Sequence, residues 1–202
     1  MKFLFVWLSL STIVLYCKGQ NVTCTGINAQ NIVSPSAVGR WHLVRTSEIG
    51  NSTEGKNTCG FFNTITPCKC IGININTTML PPNVTQYTLQ NFGYNEKFNS
   101  YALTKLDIDL ISNSSLIFNA FVPLANVNFT IAIIGTDDYL SWMTIAMCNQ
   151  LKDEKGKNIR LRWIITRSPI PTNTTIKEAM QSIGPNTKDL IVVNQSNCPP
   201  GF

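Results

Sequence analysis

The chain has 202 residues, 44% hydrophobic and 13% charged, with a formal net charge of +5. That apolar share fills a buried core and excludes a disordered chain. The densest positive group, Lys152 to Lys157, contains Asp153 and Glu154, so the basic face that nucleic acids require is missing and no nucleic-acid partner is expected.

In chain order, Lys2 and the apolar run Phe3 to Tyr16, with small residues near Gly19, read as a signal peptide over residues 1–19. The run is shorter than the roughly 20 apolar residues of a membrane span. Residues 20–202 are then expected to be a single secreted, extracellular domain. Asn-x-Ser/Thr triplets at Asn21, Asn51, Asn76, Asn83, Asn113, Asn128, Asn173 and Asn194 are the expected acceptors of N-linked glycans.

Between Gly39 and Arg167, β-branched, aromatic and Asn/Thr residues gather in short runs separated by turn chemistry. The runs 40–47, 59–67, 69–76, 84–92, 101–111, 115–122, 127–135, 139–148 and 158–167 read as strands, one or two of them continuing a neighbour. Ser112-Asn113-Ser114, Thr136-Asp137-Asp138 and Asp153-Glu154-Lys155-Gly156 supply turns. Strands joined in this way form an antiparallel meander, which closes most readily as an up-and-down barrel. One helix follows Pro171 and Thr172: Ile176, Ala179, Met180 and Ile183 recur at helical spacing, and Gly184-Pro185 ends it. Asp189 to Asn194 gives a last short strand. The other long apolar stretch, Val127 to Met147, is interrupted by Asp137 and Asp138, and the tail Pro199-Pro200-Gly201-Phe202 lacks a lipid-anchor signal. No stable membrane anchor is expected. The fold expected is all-β: an eight-stranded antiparallel up-and-down barrel with one C-terminal α-helix packed outside and a short final strand.

With Cys17 removed in the leader, Cys24, Cys59, Cys68, Cys70, Cys148 and Cys198 remain. An even number in an exported chain implies disulfides, and spacing alone leaves the pairing open.

Gly39-Arg40-Trp41 at the first strand, Asp137-Asp138-Tyr139 in a late turn and Arg167 at the end of the last barrel strand together resemble the three motifs of the lipocalin family. They resemble its Gly-x-Trp, its Thr-Asp-Tyr (with Asp137 in place of Thr) and its lone arginine. Within the family the chain is most similar to the apolipoprotein D, Lazarillo and insect bilin-binding protein branch. That likeness is carried by the placing of Cys24 before Gly39, by the segment Trp163 to Pro169 and by the segment Val193 to Pro199. It is poorest from Cys68 to about Tyr101, where two extra cysteines stand. The resemblance implies a lipocalin-like calyx, with Gly39, Trp41, Asp138, Tyr139 and Arg167 as structural markers. Trp41 would plug the narrow end and Arg167 would stack over its indole, a cation–π pair of about 0.5–2 kcal/mol. It also implies the disulfides Cys24–Cys148 and Cys59–Cys198. Cys68–Cys70 would be left over as a tight and uncomfortable ring; the alternative is that one of these two bonds Cys198 and leaves Cys59 as the odd partner.

The family likeness implies a carrier that transports a small hydrophobic ligand (a sterol, retinoid, fatty acid or tetrapyrrole such as a bilin) inside the barrel, because eight strands enclose room for one such molecule. With Arg167 inward at the closed end, alternation turns Ile165, Trp163 and Leu161 inward as well. Phe61, Tyr87, Phe118, Phe129 and Trp142 are further candidate contacts. A one-residue slip reverses each of them and would put it beneath the helix instead. No catalytic residues, metal or cofactor are expected. The single histidine, His42, follows an inward Trp41 and so faces outward, and Cys68-x-Cys70 lacks the second pair that a metal site needs. The competing reading is a secreted interaction protein on the same scaffold, acting as a protease inhibitor or defence modulator. A protein receptor or a lipoprotein particle is the further kind of partner that the resemblance allows.

Overall fold

The computed structural model describes residues 35–47, 68–80, 84–110, 117–122, 127–148, 151–152, 158–159, 161–185 and 187–200. A 3-10 turn, Pro35–Ala37, leads into β1 (Gly39–Ser47). There follow β2 (Cys68–Leu80), β3 (Val84–Asn95), β4 (Ser100–Leu110), β5 (Ile117–Val122), β6 (Val127–Thr136) and β7 (Trp142–Met147). A short ribbon, β8 (Leu151–Lys152) with β9 (Asn158–Ile159), precedes β10 (Arg162–Thr166), α1 (Asn173–Ile183) and β11 (Leu190–Val192). The expected signal peptide and the expected strand 59–67 lie outside the described residues.

Each barrel strand pairs antiparallel with the next, and β10 returns to β1, so β1 to β7 and β10 close a ring of eight. Closure removes the sheet edges that would otherwise invite aggregation. The two-residue alternation of the strands then sorts side chains to an inner and an outer face. Trp41, Ile75, Tyr87, Leu89, Ile133, Met143, Ile145, Trp163 and Ile165 meet on the inner face. Val44, Trp142 and Ile164 meet on the outer face beneath α1. All of β7 is buried because it is covered on both faces.

The helix is amphipathic at the expected spacing: Ile176, Ala179, Met180 and Ile183 turn to the barrel, and Ala179 is fully buried. Thr172 caps it, its Oγ1 accepting from Thr175 N at 3.1 Å. At the other end the N–H of Gly184, with φ +90°, donates to Gln181 O. The helix crosses β6, β7 and β10.

The C-terminal tail is built into the wall. β2 pairs with β1 over Gly39–His42, and β11 pairs with β1 over Arg45–Ser47. Where β2 leaves β1, it bulges between Lys69 and Gly72, with Cys70 at φ +56°. Into that split the tail inserts. Val193 N donates to Val44 O at 3.2 Å, Cys70 N donates to Asn194 O at 2.8 Å, and Gln195 Nε2 donates to both Leu43 O and Ile71 O, at 2.7 and 2.8 Å. One side-chain amide thereby satisfies a carbonyl on each of two parting strands, as buried backbone requires. A disulfide, Cys70–Cys198, locks the wedge.

That disulfide corrects two expectations. Cys198 is not joined to Cys59, and Cys68 is not joined to Cys70; Cys70 reaches the tail instead, as the alternative reading had it. The physical reason is the bulge, where Cys70 takes φ +56° and its N–H meets Asn194 O, which brings it within disulfide reach of Cys198 and avoids the strained ring of Cys68–Cys70. Cys68 and Cys148 are also in disulfides; Cys24, the expected partner of Cys148, and Cys59 lie outside the described residues. No helix among the described residues is long and apolar enough to cross a membrane.

Candidate functional site

The closed end of the barrel is built from the three sequence motifs. Trp41 has no accessible surface, and its indole Nε1 donates to Ala37 O at 2.8 Å. The Arg167 guanidinium stacks on that indole, 3.8 Å from the ring centroid. Its Nη1 donates to Arg40 O at 3.2 Å and its Nη2 to Ser36 O. Gly39 adopts φ +111°, and a Cβ there would stand 3.0 Å from Arg167 Nη1. Glycine is thus required both by the backbone and by the arginine.

The Asp137-Asp138-Tyr139 turn lies against the same end, since Arg167 N donates to Ser141 O at 2.8 Å. Asp138 and Tyr139 both take left-handed conformations, φ +59° and +63°. Asp137 holds them there: its carboxylate accepts from the N–H groups of Ser141 and Trp142 at 3.0 Å and from the Ser141 hydroxyl. Burial raises the Asp137 carboxyl, but these bonds together outweigh burial and leave it below the usual carboxylate range. Asp137, taken from the sequence as a mere replacement for Thr, is therefore the residue that organises the turn, while Asp138 is exposed. Tyr139 swings into the barrel. Burial, then the neighbouring Tyr87 and Asp138, push its phenol up to about 12, so it stays a neutral group inside.

Of the residues expected to line the interior, Trp163, Leu161, Ile165 and Tyr87 are in the inner cluster. Trp142 is not. It pairs with Thr166 across the β7–β10 ladder and packs with Val44, Ile164 and the helix on the outer face. Its expected place in the cavity is corrected by the one-residue alternation that puts Met143 inside instead. Phe61 lies outside the described residues. Phe118 and Phe129 are described only as strand positions, opposite Ile131 and Ala120 respectively. Of the expected glycan acceptors, Asn76, Asn173 and Asn194 are exposed. Asn128 is described only as a strand position, and Asn21, Asn51, Asn83 and Asn113 lie outside the described residues.

The structure adds inner-face residues that the sequence reading did not name: Leu89, Ile131, Met143, Ile145 and Met147. Counting in twos from Tyr87 reaches Leu89 and then Asn91, and the register confirms it, with Leu89 opposite Ile75 and Asn91 opposite Ile73. Asn91 is 6% exposed, and both atoms of its amide, Nδ2 and Oδ1, lack a hydrogen-bond partner.

His42 points outward, edge-on to Phe92 at 6.1 Å between ring centroids. Burial, then the positive charge of Arg40, lower its pKa, and a hydrogen bond with Gln195 opposes them in part. Among the described residues no three of His, Cys, Asp or Glu group as a metal site would need.

No family model matches the sequence, and no curated protein matches it at a significant level. Solved structures do. Lobster apocrustacyanin A1 superposes with a TM-score of 0.59 at 14% identity, covering 81% of this chain and 81% of that one. H1 crustacyanin from the lobster Homarus americanus gives 0.57 at 13% identity, over 80% and 78% of the two chains. The cockroach major allergen Per a 4 gives 0.54 at 17% identity, over 84% and 92%. Together with the closed ring of eight antiparallel strands and the helix outside, these likenesses show that the chain has the lipocalin fold.

Proposed function

We propose that this lipocalin-fold chain is a secreted carrier that holds a small hydrophobic ligand inside its barrel, in the manner of the apolipoprotein D, Lazarillo and bilin-binding branch. The observation that carries the reading is the uneven burial of the inner face. Trp41 and Met143 have no accessible surface, whereas Trp163, Ile145 and Tyr87 keep 6%, 9% and 8%. A barrel sealed at one end, with buried aromatic and aliphatic side chains lining the inner face beyond the seal, offers an apolar lining for a guest. Each Å² withdrawn from water contributes about 25 cal/mol, so burial of the ligand's apolar surface is the driving force, and the costs of association are subtracted from it. Trp163, Leu161, Ile165 and Tyr87 are the contacts proposed.

Export fits the same reading. Disulfides at Cys68, Cys70, Cys148 and Cys198 belong to an oxidising compartment. Cleavage after the leader and glycosylation at Asn76 on β2, Asn173 at the start of α1 and Asn194 in the tail, all exposed, complete the proposal.

The test is quenching of intrinsic tryptophan fluorescence by retinol, cholesterol, oleate and biliverdin. At least one is expected to saturate at micromolar concentration or below, with Trp163→Ala weakening that ligand about tenfold. If none of the four quenches, and a solvent extract of the protein from its source contains no stoichiometric small molecule, the carrier reading is wrong.

A further inference from the structure

An unpaired amide buried on the inside of a barrel is expensive. Each hydrogen-bonding atom taken from water and left without a partner loses its hydration and gains nothing in return. Asn91 buries two, Nδ2 and Oδ1, on the face that also carries Ile75, Leu89 and Tyr87. An aliphatic side chain of similar size would fit that face without the cost. Asn91 sits in one hydrogen-bonded row with Trp41 and Ile73, since Trp41 pairs with Ile73 and Ile73 with Asn91. On its other side it pairs with Thr104 of β4. It therefore stands two strands from the indole plug, inside the ring.

We infer that Asn91 is the polar anchor of the ligand site, and that the ligand carries a neutral head with a hydrogen-bond donor and acceptor side by side. Such heads are a lactam, a carboxamide or an undissociated carboxyl group. This rests on the carrier reading above and narrows it. A planar amide offers one donor edge and one acceptor edge, and a head of the same type closes two parallel hydrogen bonds with it. An ionised carboxylate can accept from Nδ2 but turns a second lone pair towards Oδ1. Those two facing lone pairs repel, so an anionic head is disfavoured. An ester accepts one bond and leaves Oδ1 unpaired. The apolar body of the ligand would then run along Trp163 and Tyr87.

The experiment compares oleamide and methyl oleate, which share one hydrocarbon chain, by fluorescence quenching on the wild-type protein and on Asn91→Leu, with Asn91→Val as a second variant should leucine overfill the site. On the wild type, oleamide is expected to bind about tenfold more tightly than methyl oleate, as one to two net hydrogen bonds supply. In either variant the gap should shrink to less than about threefold, with methyl oleate bound at least as tightly as before. The ligand-free variants should also melt at or above the wild-type temperature, because an unpaired buried amide has been removed. Equal binding of the two probes to the wild type overturns the anchor and leaves the carrier reading standing. So does a gap that survives in the variants. Binding of neither probe overturns it too, and if the retinol, cholesterol, oleate and biliverdin panel also fails, the carrier reading falls with it.

Discussion

The guanidinium of Arg167 lies 3.8 Å over the indole of Trp41, residues 126 positions apart in the chain. It ties the end of the last barrel strand to the start of the first, at the place where the ring must close. The same guanidinium donates to the carbonyls of Ser36 and Arg40, so one side chain serves stacking, hydrogen bonding and closure.

Arg167→Ala should therefore lower the unfolding free energy by about 2–4 kcal/mol, combining the lost stacking with two charge-assisted hydrogen bonds. Gly39→Ala should cost about 1–3 kcal/mol, from a positive φ and a crowded Nη1. The two changes should be less than additive, because without the arginine the crowding disappears and only the backbone strain is left. Urea unfolding of the two single variants and the double variant measures this. Full additivity would show that Gly39 does not feel Arg167.

Cys198→Ser should lower stability by as much as about 5 kcal/mol in the chain-entropy picture for so long a loop, the cysteines being 128 residues apart. Loss of the wedge should add to that by exposing Leu43 O and Ile71 O. A non-reducing peptide map should recover the peptide bearing Cys70 joined to the one bearing Cys198. Recovery of Cys59 with Cys198 instead would contradict the bulged geometry of β2.

The two tryptophans separate the faces of the wall. Trp142→Phe should leave ligand affinity within about twofold and cost about 1–2 kcal/mol of stability, since the indole packs under the helix. Trp163→Ala should act on ligand affinity. A reversal, with Trp142→Phe weakening the ligand, would mean that the inner and outer faces have been exchanged.

Acid should loosen the fold before it reaches the carboxylate range. The folded pKa of His42 lies below 6.5, its ordinary value, through burial and then Arg40. The unfolded chain consequently binds the proton more readily. The stability that His42 contributes is complete above pH 6.5 and declines as the pH falls from there towards its folded pKa. Asp137, whose folded pKa is also depressed, adds a second decline as the pH drops below its ordinary value of 3.8. Melting temperature should fall between pH 7 and pH 5 in the wild type and fall less in His42→Gln. An equal fall in both would remove His42 from the account.

The period-two runs, the helical stripe Ile176-Ala179-Met180-Ile183 and the three motifs are local patterns, so the barrel, its outer helix and its sealed end could be read from the residues alone. Alternation from Arg167 likewise put Ile165, Trp163 and Leu161 on the correct face, because no bulge interrupts β10. What the chain could not declare was register across distance. Trp142 differs from an inner residue by a single step, and the β2 bulge that turns Cys70 towards Cys198 depends on where β1 and β2 separate. Asn91 looked like one more asparagine in an Asn-rich sequence. Only the closing of the ring, which decides which of two neighbouring side chains meets water and which meets the interior, made it a buried amide without a partner.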